Sequence, residues 1–282
     1  MSDIAQMEDP LGLQRLGYAG PLLELPARRW QDGRAVEHRE TVAEEIPVAM
    51  VYNGIPHVVM MATPQDLEDF ALGFSLTEEL IGSKDDLHRV ESIKYSRGIE
   101  VHATVAAACE EGIAARSRRL TGRTGCGICG ADSIASALKT LRPVTDAVRV
   151  SPAAVTAAME SLASHQTLNA AAGAVHAAGW ARLDGTITVV REDVGRHNAL
   201  DKLVGALLRQ DLDPKSGFVV VTSRASFEMV QKTTVLGAPL LAAVSGPTGL
   251  AIRVAQQAGL TLVGFARGDR HTVYTHPARL TD

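Results

Sequence analysis

Cys126 and Cys129 stand three residues apart in Gly125-Cys126-Gly127-Ile128-Cys129-Gly130. Two thiols at that spacing share a disulfide, bind one metal ion, or pass a sulfur atom. A nucleophilic thiol must be accessible and partly thiolate. Three glycines keep the backbone open, and Arg116, Arg118, Arg119 and Arg123 place positive charge nearby. A zinc site needs two more Cys or His ligands. There is no second Cys pair, and the nearest upstream histidine is His102. A zinc deaminase carries His-x-Glu ahead of Pro-Cys-x-x-Cys, whereas Gly125 precedes Cys126 here. No zinc is therefore expected. Sulfur relay is the leading reading, with dithiol redox chemistry, zinc and a plain glycine-rich loop as alternatives. The third cysteine, Cys109, lies in the Ala-rich run VAAACEEG and reads as a small packed residue without chemistry.

A second constellation consists of four polar segments, each after an apolar run. Arg191 to Asn198 follows TITVV, Ser223 to Ser226 follows FVVVT, Ser245 to Gly249 follows LLAAV, and Ala266 to Arg270 follows TLVGF. If the runs are parallel strands, the segments lie at their carboxyl ends, where α/β folds bind ligands. Helix N-termini there offer free N–H groups to anions, and Arg196, Arg224, Arg267 and Arg270 suit bidentate phosphate contacts. A nucleotide or other polyphosphate is the ligand class implied. Neither a Walker A sequence nor Gly-x-Gly-x-x-Gly is present. His197 either joins that ligand site or anchors a helix start by hydrogen bonding.

The elements that must position these groups are readable in part. Ile46 to Met61 reads as two strands joined by Asn53-Gly54. Thr63 and Pro64 read as the cap and first position of a helix with Leu67, Phe70, Ala71 and Phe74 on one face. Val90 to Val105 alternates like half-buried strands. Glu110 to Pro143 has little apolar periodicity until Ile134 to Leu141, and its first half reads as an exposed loop. Ser151-Pro152 starts a helix with the stripe Val155, Met159, Leu162, and two strands meet at Asp184-Gly185. Helices then alternate with short apolar strands as far as Phe265, which predicts parallel pairing in an α/β layer fold. The division implied is a flexible tail over residues 1–25, a mixed α/β region over 26–115, a linker with the thiol pair over 116–150, and an α/β ligand-binding domain over 151–282.

The chain has 282 residues and a formal charge of −4, so no bulk charge points to nucleic acid. No stretch of about 20 apolar residues suits a membrane span, and the first residues lack a signal-peptide pattern. A cytoplasmic protein with no membrane or nucleic-acid partner is expected. An odd cysteine count in that setting argues against a disulfide framework.

The segments TGRTGCGICG, REDVGRHNALDKLVGA, SRASFEMVQK, AAVSGPTGLA and GLTLVGFARGDRHTVYT, with a looser match at Gly173 to His176, resemble the formate dehydrogenase accessory sulfurtransferases, the FdhD family. The resemblance implies a cytidine-deaminase-like three-layer α/β/α C-terminal domain without the deaminase zinc site. It implies a persulfide on Cys126, with sulfur supplied by a cysteine desulfurase. The sulfur would pass to the bis(molybdopterin guanine dinucleotide) molybdenum cofactor for formate dehydrogenase, and homodimers are expected. Carried onto this chain, cofactor contacts fall on Phe265, Ala266, Arg267, Gly268, Asp269 and Arg270. Ser223, Arg224 and Ser245 would line the opposite wall, with Arg196 and His197 nearby. GDP would then serve as a partial mimic of the cofactor. Two other readings are a cofactor-binding chaperone that moves no sulfur and a deaminase-like enzyme acting on a free nucleotide.

Overall fold

The computed structural model describes residues 20–120, 143–145 and 148–281. Cys126 and Cys129 lie outside the described residues.

The described chain opens with a two-stranded ribbon, β1 (Leu22–Gln31) and β2 (Arg34–Ala43), so strand begins inside the segment expected to be a tail. Asp32 and Gly33 at its turn both have positive φ, 50° and 75°, as a type I′ hairpin requires. The Asn53-Gly54 turn is of the same kind, with φ of 46° and 82°, and joins β3 (Ile46–Tyr52) to β4 (Ile55–Ala62). With β5 (Leu87–Tyr95) and β6 (Gly98–Val105) these make a four-stranded sheet in the order β4-β3-β6-β5.

Helix α1 (Leu67–Thr77) starts four residues later than Thr63. Its N-cap is Asp66, in the left-handed region, and Thr63 does not cap it. Thr63 is fully buried, and both its backbone and its hydroxyl bond to the other half of the molecule. Helix α2 (Ala107–Leu120) occupies part of the stretch expected to be loop. Its Ala, Glu and Arg content favours helix, but among its described side chains only Ile113 is deeply buried, so they show no apolar stripe.

After α3 (Pro152–Leu162), capped by Ser151 as expected, and α4 (Thr167–Ala172) come β7 (His176–Arg182), β8 (Ile187–Asp193), α5 (Arg196–Arg209), β9 (Gly217–Val221), α6 (Phe227–Leu236), β10 (Leu240–Ala243), α7 (Gly249–Ala258), β11 (Thr261–Arg267) and β12 (Arg270–Thr275). The six-stranded sheet has the order β12-β11-β10-β9-β7-β8. Parallel pairing holds for β9, β10 and β11 only. β7 runs antiparallel to both β8 and β9, and β12 antiparallel to β11. The sheet is therefore mixed. The short turn at Asp184-Gly185 leaves β8 no choice but to reverse against β7, since parallel neighbours need a long crossover.

Successive residues of β9 face opposite layers. Phe218 and Val220 join the cluster containing Val155 and Leu162 of α3. Val219 and Val221 join the cluster containing Leu203 of α5 and Met229 of α6. That second cluster continues through Phe70 and Phe74 of α1 to Val48, Met50 and Val101 of the four-stranded sheet. Helices α1 and α5 cross at two glycines. A methyl on Gly73 would overlap the carbonyl oxygen of Asp201, and one on Gly205 the carbonyl oxygen of Asp69.

Candidate functional site

β8 and β9 to β11 all point the same way, so the four polar segments do end at one edge of the sheet. They form two groups there.

The first group surrounds the β11–β12 turn. A cleft of ≈ 760 Å³ is lined by Ser245, Phe265, Arg267, Asp269, Arg270, His271 and Thr272. The β11–β12 register is irregular between Gly264 and Arg267, and within that irregularity Phe265 adopts φ 53°. A phenylalanine in the left-handed region is costly, and such residues persist where the surroundings hold them. The hold is visible: the Phe265 amide bonds to the Ser245 carbonyl at 3.3 Å. The ring lies so close to Gly246 that a methyl there would sit 2.7 Å from its Cζ. The strained backbone turns the ring outward, leaving Phe265 54% exposed at the cleft. Ala266 points the other way and is buried. Arg267 Nε donates to the Val244 carbonyl at 3.1 Å, which steadies the guanidinium at the rim. Gly268 takes φ 54° in the turn that pairs Arg267 with Arg270. Two arginines, one carboxylate and an exposed aromatic face make a cleft suited to a planar, anionic ligand.

The second group lies at the start of β7 and the starts of α5 and α6. His197 Nε2 is 2.9 Å from Glu228 Oε2. Burial pushes the Glu228 carboxyl upward, but His197, Lys232 and Arg196 outweigh it and hold the group below the usual carboxylate range. Arg196 shares this corner, so Arg196 and His197 stand outside the cleft at Phe265. Three strand spacings separate β8 from β10, or roughly 14 Å. Ser223 and Arg224 lie between the two groups. Ser223 is buried, with Oγ donating to the Arg224 carbonyl at 2.9 Å, and the Arg224 side chain is exposed. His271 and Thr272, which depart from the usual family pattern, also line the cleft, and Glu228 is the residue that sequence reasoning missed. Glu228 carried a signal, an acid in the first helical turn after SRAS.

The turn that presents Arg196 and His197 is held from beneath. Asp193 Oδ1 accepts from the Gly195 amide at 2.8 Å and from Asn198 Nδ2 at 3.0 Å. Asp193 Oδ2 accepts from the Thr63 amide at 3.0 Å and from Lys202 Nζ at 2.6 Å. Lys202 Nζ also donates to the Thr63 carbonyl at 2.9 Å, and Asn198 Nδ2 to the Met61 carbonyl at 2.8 Å. Asp193 and Lys202 are both fully buried.

A separate cleft of ≈ 520 Å³ at the opposite end of the sheet is lined by Trp180, Arg182, Leu183, Asp184 and neighbouring residues, and none of the expected site residues reaches it. Among the described residues no group of three His, Cys, Asp or Glu side chains could hold a metal ion. Cys109 is half-buried, and burial pushes its thiol up. No helix among the described residues is long and apolar enough to cross a membrane.

A mixed α/β protein with a charged cleft at the carboxyl edge of its larger sheet is the class defined so far. The sequence matches the FdhD/NarQ family over residues 43–281, and the chain belongs to that family. It is 51% identical over 256 residues to the sulfur carrier protein FdhD of Variovorax paradoxus (strain S110), covering 91% of this chain and 92% of that protein. The corresponding protein of Cupriavidus necator is 50% identical over 252 residues, covering 89% and 88%. Among solved structures, a putative formate dehydrogenase accessory protein from Desulfotalea psychrophila superposes with a TM-score of 0.72 at 23% identity, covering 92% of this chain and 99% of that one. At that identity the likeness is one of fold.

Proposed function

We propose that this chain is a sulfur carrier. It takes sulfur as a persulfide on Cys126 from a cysteine desulfurase and passes it to the bis(molybdopterin guanine dinucleotide) molybdenum cofactor that formate dehydrogenase uses. The observation that carries this reading is the family match over residues 43–281, which takes in both thiols and the cleft. Near 50% identity to proteins named as sulfur carriers supports the same role.

The chemistry runs in two exchanges. The Cys126 thiolate attacks the terminal sulfur of the desulfurase's persulfide, the S–S bond breaks, and the desulfurase thiolate leaves. Cys129 thiolate then attacks Cys126 Sγ, the outer sulfur departs as hydrosulfide toward the cofactor, and a Cys126–Cys129 disulfide remains for an external thiol to reduce. The two electrons that turn sulfane sulfur into sulfide come from the thiol pair.

The cofactor is the substrate of this transfer, and the cleft at Phe265 suits one of its guanine dinucleotide tails. Arg267 and Arg270 meet pyrophosphate, Phe265 offers a face to the base, and Asp269 accepts from guanine's ring N–H and amino group. A homodimer would offer two such clefts for two tails. The deaminase-like assignment of the C-terminal domain is part of the same reading, and helices on both faces of the six-stranded sheet support it.

The test is complementation of a strain lacking its own carrier. Cys126→Ala should leave formate dehydrogenase inactive while the purified variant binds GDP as the parent does. Full formate dehydrogenase activity with Cys126→Ala would reduce the role to cofactor delivery without sulfur transfer.

A further inference from the structure

We infer that His176, Arg196 and Ser226 form a second oxyanion site, separate from the cleft at Phe265, that binds a phosphoryl group. The inference deepens the reading above, but its test needs neither thiol.

The corner is built and its donors are idle. Arg196 Nε and Ser226 Oγ are buried without hydrogen-bond partners among the described residues. Leaving buried donors unmade is costly, so each calls for an explanation. Arg196 also makes no ion pair among the described residues. Ser226 sits at the N-cap of α6 with backbone suited to capping, yet its hydroxyl caps nothing. Thr248, at the same position of α7, accepts from the Ala251 amide at 3.2 Å. The N-cap of α5 is Gly195, which has no side chain to offer. Two helix starts therefore present amides that no side chain covers. His176, the first residue of β7, pairs in register with Asp193 at the same edge. Its imidazole is pushed down first by burial, then by the charges of Arg196 and His197, while Asp193 acts in the opposite sense.

The charge balance selects the ligand. Asp193 is engaged by Lys202 at 2.6 Å, and Glu228 Oε2 lies 2.9 Å from His197 Nε2, an ion pair when that ring is protonated. Arg196 has no carboxylate partner among the described residues, and its charge draws an anion to the corner. The His197–Glu228 contact at 2.9 Å brings the starts of α5 and α6 together, and His176 pairs with Asp193 at the same edge; a guanidinium, an imidazole N–H, a hydroxyl and helix amides in one corner suit a tetrahedral oxyanion. The half-exposed side chains of Arg196 and His176 leave it open to solvent.

Inorganic phosphate is the probe, titrated into the whole protein near neutral pH while the histidine-ring resonances are followed by NMR. The expected result is a saturable shift of the His176 and His197 rings and a rise in the titration midpoint of His176. Arg196→Gln should weaken phosphate by about tenfold or more, and Ser226→Ala should weaken it a few-fold. Arg267→Ala should lose GDP affinity while its His176 ring still responds to phosphate. If GDP displaces phosphate from the His176 ring, the phosphoryl group belongs to the nucleotide. If the two add without competition, the site takes a free phosphate. The proposal stands in both cases. Rings indifferent to millimolar phosphate overturn it, as does an undiminished response in both Arg196→Gln and Ser226→Ala. Loss of the ring response in Arg267→Ala would show a single site and overturn it as well.

Discussion

Phe265 shows how one strained residue shapes a cleft. Its positive φ and the glycine beneath its ring turn an aromatic face outward beside Arg267 and Arg270. If that face and those charges hold a guanine nucleotide, Arg267→Ala and Arg270→Ala should each weaken GDP by about 1.5–3 kcal/mol, roughly tenfold to a hundredfold. Calorimetric titration measures this, and unchanged affinity in both variants would move the nucleotide elsewhere. His57 makes a different residue-level prediction. It packs between Tyr52 and Phe74, with Nδ1 2.7 Å from Ser117 Oγ. Burial, and then the Arg116 charge, lower its pKa from 6.5 to about 4. The folded value lies below the unfolded one, so the unfolded chain binds the extra proton as pH falls between these values. Stability from this group is complete above pH 6.5 and declines down to pH 4, by about 3 kcal/mol in all. Denaturant melts across that range should show the loss, and His57→Phe, which keeps a ring there, should flatten it. An equal slope in the variant would assign the pH dependence to other groups.

At the scale of elements, the crossing of α1 and α5 and the turn before α5 fix how the two sheets meet. Gly205→Ala places a methyl on the Asp69 carbonyl, where neither backbone can yield without parting the helices. Overpacking of this kind typically costs about 1–3 kcal/mol, and a thermal melt should show it. A melting temperature equal to the parent's would mean that the helices separate freely. Local turn chemistry was legible in the sequence: Asn53-Gly54 turns with both residues at positive φ, and Asp184-Gly185 with Gly185 at φ 89°, values that few other residues tolerate. Asp32-Gly33 carried the same signal for the β1–β2 ribbon, but the charged strands beside it lack an apolar face. The strands β9 to β11 were legible because burial on both faces leaves an unbroken apolar run. Helix α2 was not: among its described side chains one is deeply buried and no stripe forms. At the site, the run from Phe265 to Arg270 is contiguous and so can be read directly. The grouping of His176, Arg196 and Ser226 depends on β7 lying between β8 and β9, a strand order no local pattern encodes.

At the scale of the whole molecule, the segment REDVGRHNALDKLVG does two jobs. Asp193, Asn198 and Lys202 tie the six-stranded sheet to Met61 and Thr63 at the end of the other sheet, while Arg196 and His197 lie at the carboxyl edge of the six-stranded sheet. Removing one partner of a buried ion pair strands the other charge, at about 3–5 kcal/mol. Lys202→Met should therefore destabilise the fold by that order in urea. Stability equal to the parent's would show that Asp193 finds another partner or a proton.

The central claim, that Cys126 carries sulfur, is tested most directly by intact mass spectrometry after incubation with a cysteine desulfurase and cysteine. The parent should gain the mass of one sulfur atom, removable by a thiol reductant. Cys129→Ser should gain it too, and Cys126→Ala should not. A parent chain that gains no sulfur, or an equal gain in Cys126→Ala, would contradict the account.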